Sequence, residues 1–153
     1  MKKLTVTLMC GIPGSGKSTW IKNNKKSNVD VVSLDEIRKT VYGHQYHKDA
    51  DVWILAFSTS MASLLLKQNR SIIIDATNIL PFMRDTWRKL ANQYGAVTEM
   101  ICFEIPLKVC IERNNKRPKK QRVPTRILKQ FAAAYSPPIL SYEPYDKIVY
   151  IKE

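Results

Sequence analysis

The stretch Cys10 to Trp20, CGIPGSGKSTW, decides how the rest of the chain is read. Residues 11 to 18 satisfy the pattern G-x-x-x-x-G-K-[ST] at every fixed position. An apolar and β-branched run, Leu4 to Cys10, leads into it, and Lys17 to Asn24 can be helical. That context makes the stretch an anion cradle. Glycines at 11, 14 and 16 let the backbone curl around Ser15 so that successive N–H groups point inward, and the helix N-terminus adds its partial positive charge. In such a cradle Lys17 reaches the β and γ phosphates of a nucleotide, the Ser18 hydroxyl binds Mg²⁺, and Thr19 closes the first helical turn.

Outward from the loop, short β-rich runs alternate with helix-like segments. Asp30 to Leu34, Ser71 to Asp75, Val97 to Phe103 and Lys147 to Ile151 read as further strands. Asp51 to Lys67 reads as a helix with Ile54, Phe57, Met61, Leu64 and Leu65 on one face. Pro81 to Tyr94 has proline in its first turn and Gly95 just past its end, and Pro106 to Asn115 and Pro124 to Ala134 are two more helices. Strands that are apolar on both faces and alternate with helices predict a parallel sheet covered on both sides, with ligands bound beyond the carboxyl ends of the strands. The chemistry is therefore expected just after Cys10, Leu34, Asp75 and Phe103.

A phosphate cradle serves binding as well as transfer, and a transfer site also needs a proton acceptor and cations. After the second strand comes SLDEIR. If Asp35 opens a helix, Arg38 stands one turn on and both face one cleft. There the carboxylate can orient an acceptor hydroxyl and take its proton while the guanidinium grips a phosphate; the alternative is a helix-capping Asp with a surface Arg. Glu36, about 100 degrees around the helix, points elsewhere. The third strand ends at Asp75, which either holds a water of a Mg²⁺ shell or bonds loop N–H groups. Thr77 and Asn78 either position an acceptor or shape the turn.

From Arg113 to Lys129 the chain carries eight basic residues and no acidic one. Arg113 and Arg117 share a helical face, and Pro118 and Pro124 break the segment, so it reads either as a lid over about residues 113–126 or as a solvated basic loop. The whole chain of 153 residues has net charge +12, which favours a polyanionic partner. Its size suits one domain, and no apolar run approaches a membrane span. Cys10, Cys102 and Cys110 read as reduced structural residues, which with the rest points to the cytoplasm. His44 and His47 read as loop residues, and Trp20, Trp53 and Trp87 as core packing.

Taken together, GIPGSGKSTW, SLDEIR, IDATN and ERNNKR followed by VP resemble, in order and over nearly the whole chain, the polynucleotide 5′-hydroxyl kinase family of P-loop phosphotransferases. The resemblance implies a three-layer α/β P-loop kinase fold with a roughly five-stranded parallel sheet and a basic lid, acting on the 5′ ends of RNA or DNA with ATP and Mg²⁺. It implies Asp35 as the general base for the 5′-hydroxyl, Arg38 on the reactive phosphates, Arg113 and Arg117 on the donor phosphates, and Lys17 and Ser18 in the phosphate loop. Members with a fused 3′-phosphatase or ligase exist, and a chain ending at Glu153 leaves no room for either. The stretch RPKKQRVP departs from the family lid in length and basicity. The same superfamily includes kinases of small hydroxyl compounds, and a nucleotide-gated nucleic-acid-binding module is a noncatalytic alternative.

Overall fold

The computed structural model describes residues 3–43 and 50–153, so His44 and His47 lie outside the described residues. Five strands form one parallel sheet: β1 (Thr5–Cys10), β2 (Val29–Ser33), β3 (Ser71–Asp75), β4 (Val97–Phe103) and β5 (Lys147–Ile151). Their order is β2-β3-β1-β4-β5. The helices are α1 (Lys17–Asn24), α2 (Leu34–Tyr42), α3 (Ala50–Lys67), α4 (Pro81–Gln93), α5 (Leu107–Asn115) and α6 (Thr125–Ala134), with a 3₁₀ turn at Lys119–Gln121. None of the helices among the described residues is long and apolar enough to cross a membrane.

The predicted three-layer architecture follows from β1. Its side chains alternate between faces, and both faces are buried. Val6 and Leu8 pack with Ala62 and Leu66 of α3 and with Trp87 of α4. Met9 packs with Ile73, Ile101 and Phe103 of its neighbours and with Ile21 of α1 on the other side. Because β1 lies between β3 and β4, the turns after Cys10 and Asp75 are neighbours at one edge of the sheet. Register places Cys10 opposite Cys102, and Ser33 opposite Asp75.

Three expectations are corrected. The face of α3 turned to the sheet carries Ile54, Ser58, Ala62 and Leu66, spaced by four, while Phe57 and Leu64 face outward. The helix has apolar residues on both faces, so periodicity alone could not select one. Trp87 is core and Trp20 packs partly buried against the second cluster, but Trp53 stands 69% exposed. The second strand also ends one residue early, at Ser33, leaving Leu34 as the first residue of α2.

Candidate active site at the carboxyl edge of the sheet

The loop after β1 is held from three sides. The Gly11 N–H donates to the Thr77 carbonyl at 2.9 Å. The Asn78 side-chain amide donates to the Met9 carbonyl at 2.8 Å, and the Cys10 thiol donates to the Asn78 carbonyl at 3.3 Å. Thr77 and Asn78 thus shape the turn, and Asn78 does so from a left-handed backbone (φ 46) that asparagine tolerates. On the third side, Gly14 (φ 82) sits against α5: a Cβ there would lie 2.5 Å from the Cys110 carbonyl oxygen. Gly16, at φ 101, caps α1.

Inside this frame the Lys17 ammonium donates to the carbonyls of Gly11 at 2.7 Å and Ile12 at 3.0 Å. Burial pushes its pKa down to about 8, against the opposing pull of Asp75 and Asp35. The Ser15 hydroxyl is buried without a hydrogen-bond partner, a free donor in the curl of the loop. Ser18 and Thr19 occupy the exposed first turn of α1. Asp75, one strand away, has its pKa raised by burial, partly offset by Lys17. The three cysteines are buried and free, and a hydrogen bond with Cys102 together with burial pushes the Cys10 thiol up, which keeps it protonated.

The start of α2 separates the two readings of Asp35. The helix is capped by Ser33, whose hydroxyl accepts the Glu36 N–H at 3.3 Å, and the same side chain hydrogen-bonds Asp75. Asp35 therefore does not cap. Its carboxylate, 83% exposed, accepts from Arg38 at 2.6 Å, and Arg38 also donates to Asp51 of α3 at 2.8 Å. The Arg38 Nε is buried with no partner. Glu36 is turned to Lys39, with which it pairs at 2.6 Å.

From the opposite side, Arg113 on α5 donates to the Ser15 carbonyl at 3.3 Å and pairs with Glu153 at 2.7 Å. Arg117 stands just beyond the helix, and its charge helps depress Lys17. The turn that carries it is shaped by Asn114, which is buried and exchanges two hydrogen bonds with the Val123 backbone at 2.8 and 2.9 Å. Lys17, Asp35, Arg38, Asp75 and Arg113 thus gather around one edge. No hydrogen bond joins Ser18 to Asp75, or Arg117 to Arg113, among the described residues.

Two structural supports of the candidate site escaped the sequence reading. Asp51 fixes Arg38 from across the α2–α3 connection. Arg84, fully buried, binds Glu143 through Nε at 2.6 Å and through its second terminal nitrogen at 2.7 Å, and donates to the carbonyls of Asn78 and Ser136 at 3.0 and 2.9 Å. This charge pair clamps the segment after α6 onto the turn that holds the phosphate loop. An arginine at the start of a helix carries no local sign of burial, and its carboxylate is 59 residues away.

Comparison with known proteins bears on the fold that carries these residues. Residues 6–138 match the family model described as AAA domain. A chain of the Pnkp1/Rnl/Hen1 RNA repair complex superposes with TM-score 0.72 at 22% identity, over 88% of this chain and 44% of that one. This chain therefore spans less than half the length of that relative. The Mycobacterium tuberculosis APS kinase CysC, solved with AMPPNP and APS, gives TM-score 0.65 at 20% identity, covering 98% and 90% of the two chains. A sugar kinase from Janibacter sp. HTCC2649 gives 0.69 at 19%, covering 99% and 86%. At these identities the likeness establishes the P-loop kinase fold.

Proposed function

We propose that this chain, which belongs to the AAA domain family, transfers the γ-phosphate of ATP to the 5′-hydroxyl end of RNA or DNA. The observation that carries the reading is the Asp35 carboxylate: it is exposed, relieved of capping by Ser33, and close enough to Lys17 for its charge to act there. A carboxylate so placed can accept the proton of an acceptor hydroxyl beside the phosphates. The acceptor oxygen forms a bond to the γ-phosphorus as its proton passes to Asp35, the bond from phosphorus to the β–γ bridging oxygen breaks, and ADP leaves with that oxygen.

The phosphate loop, with Gly11, Gly14, Ser15, Gly16, Lys17, Ser18 and Thr19, binds the donor. Lys17 neutralises the β and γ phosphates, and the unpartnered Ser15 hydroxyl and Arg38 Nε are donors suited to phosphate oxygens. Arg113 and Arg117 approach the donor from a lid at about residues 113–126. Ser18 and Asp75 would hold Mg²⁺. The residues fit that ion: one hydroxyl and one carboxylate suit a cation that takes most of its ligands from water and phosphate. When bound, Mg²⁺ offsets negative charge on the donor phosphates. Residues 1–153 then act as one kinase domain.

The polynucleotide acceptor is supported by net charge +12 and by the likeness to a protein of an RNA repair complex. The likeness to an APS kinase and a sugar kinase favours a small hydroxyl acceptor instead. An acceptor panel separates them. With ATP labelled at the γ-phosphate, 5′-hydroxyl oligoribonucleotides and oligodeoxyribonucleotides are expected to take label and their 5′-phosphorylated counterparts are not. Labelling of a nucleoside or sugar with none of the oligonucleotides would overturn the reading.

A further inference from the structure

The segment from Lys116 to Lys129 carries seven basic residues and no acidic one, and of these the site described above uses only Arg117. The acids nearest along the chain are Glu112 and Glu143, and Glu143 is buried against Arg84. Elsewhere cations are matched: among the described residues, eight lysines and arginines pair with carboxylates. Lys116, Lys119, Lys120, Arg122, Arg126 and Lys129 form no such pair among the described residues, and all six are exposed. The segment is also held in shape. Asn114 clasps the Val123 backbone and so closes the loop 115–122, within which the Arg122 Nε donates to the Arg117 carbonyl at 2.7 Å and Lys119–Gln121 form the 3₁₀ turn. Beyond the loop, Phe131 and Ala132 of α6 pack against the cluster of Ile12, Ile79 and Cys110, which leaves Arg126 and Lys129, one turn apart, exposed on the outer side. The cations thus stand on an ordered surface beside the phosphate loop, where the charge of Arg117 acts on Lys17.

We propose that this surface binds the phosphate backbone of the acceptor strand beyond its 5′ end; the inference rests on the polynucleotide reading given above. A strand whose 5′-hydroxyl sits at the γ-phosphate continues away from the cradle as a string of negative charges. Ordered cations with no carboxylate of their own supply the matching attraction. The donor does not require them, because in that reading Lys17, Arg113 and Arg117 meet its phosphates. An anionic membrane is the less suitable occupant. Helices that lie on a lipid surface combine cations with apolar side chains that enter it, and none of the large exposed apolar residues lies between residues 113 and 134. From Lys116 to Lys129 there is no aromatic residue on which a base could stack, so recognition goes through phosphate and is independent of base sequence.

The test is fluorescence anisotropy of a labelled, 5′-phosphorylated single strand of about 12 nucleotides, without ATP, so that binding is read apart from transfer. Measurements are made at about 0.1 M salt, where exposed charges more than about 10 Å apart are largely screened. A Lys119→Gln, Lys120→Gln, Lys129→Gln triple variant should bind at least about tenfold more weakly than wild type, and its slope of log affinity against log salt should be shallower by about 2. The control removes the same charge where the chain turns back toward the start of β2: Lys22→Gln, Lys25→Gln, Lys26→Gln, also exposed, should stay within about twofold of wild type. In both triple variants circular dichroism and ATP affinity should be unchanged, because all six lysines are exposed and none is assigned to the donor. With 5′-hydroxyl strands, the first variant should raise the acceptor KM and leave kcat at saturation as it is.

A wild-type chain that does not bind the strand, or a first variant that binds it as wild type does, overturns the proposal. Equal loss in the Lys22, Lys25, Lys26 variant overturns it too, since net charge and not this surface would then carry the binding. So does a first variant that loses ATP affinity or binding to phosphatidylserine vesicles while keeping the strand, because the cations would then serve the donor or a membrane. If strand binding depends on the three lysines but no 5′-hydroxyl end takes label, the nucleic-acid surface stands and the kinase assignment fails. If label is transferred and the first variant binds normally, the surface fails and the assignment stands.

Discussion

The two halves of the site are built in opposite ways. On the donor side, the loop after β1 is tied by the Thr77 carbonyl, the Asn78 side chain and the close approach of Gly14 to α5, and Lys17 is drawn inside. On the side proposed for the acceptor, Asp35 stands in solvent and is steadied by one arginine. The contrast separates two tasks. Phosphates are the same in every donor, so a rigid cradle of backbone amides serves, whereas an acceptor must enter and leave past exposed groups. If so, donor-side changes should cost binding and transfer together, and acceptor-side changes should cost transfer alone.

The largest effects test this division. Lys17→Ala should abolish transfer and weaken ATP binding, as read by titration with a fluorescent ATP analogue and by labelled phosphate transfer. Glu143→Ala leaves the Arg84 guanidinium buried without its counter-ion, so the expected loss of stability is about 3–5 kcal/mol in urea unfolding. Because that pair braces the turn holding the phosphate loop, ATP binding in the surviving folded fraction should weaken as well. If stability falls and binding is untouched, the brace is not part of the donor half.

A smaller, graded effect lies in pH. Burial lowers the Lys17 ammonium from 10.5 to about 8, and the charged form is the one that binds phosphate. The proton is lost as pH rises, so kcat/KM should fall above about pH 8, roughly tenfold per unit at the limit. Bound phosphates favour the ammonium, so the limb in kcat should lie higher. Coincident limbs in both parameters would mean that Lys17 is not in contact with the donor. Least of all, Asp51→Asn should cost about 0.2–1 kcal/mol in transfer, because it removes one exposed ion pair from Arg38.

The same contrast explains what could be read from the sequence. The sheet was legible because its strands are apolar on both faces, as with Val6 and Leu8 against Met9. The phosphate loop was legible because a backbone cradle demands glycines at fixed positions. Asp35 and Arg38 stood out by position, at a strand exit and one turn apart, although only the Ser33 cap distinguishes Asp35 from a capping residue. Arg84 with Glu143, and Arg38 with Asp51, were illegible because ion pairs between distant segments leave no spacing to recognise. The face of α3 was misassigned because the helix carries two apolar stripes, one against the sheet and one outward.

The most direct measurement is made on Asp35→Asn, with ATP affinity and labelled transfer to a 5′-hydroxyl oligonucleotide determined on the same preparation. Loss of a general base is expected to lower kcat by about 10²–10⁴ with ATP affinity within about twofold of wild type. Transfer undiminished in this variant, or transfer and ATP affinity falling together, would contradict the assignment of Asp35 to the acceptor half.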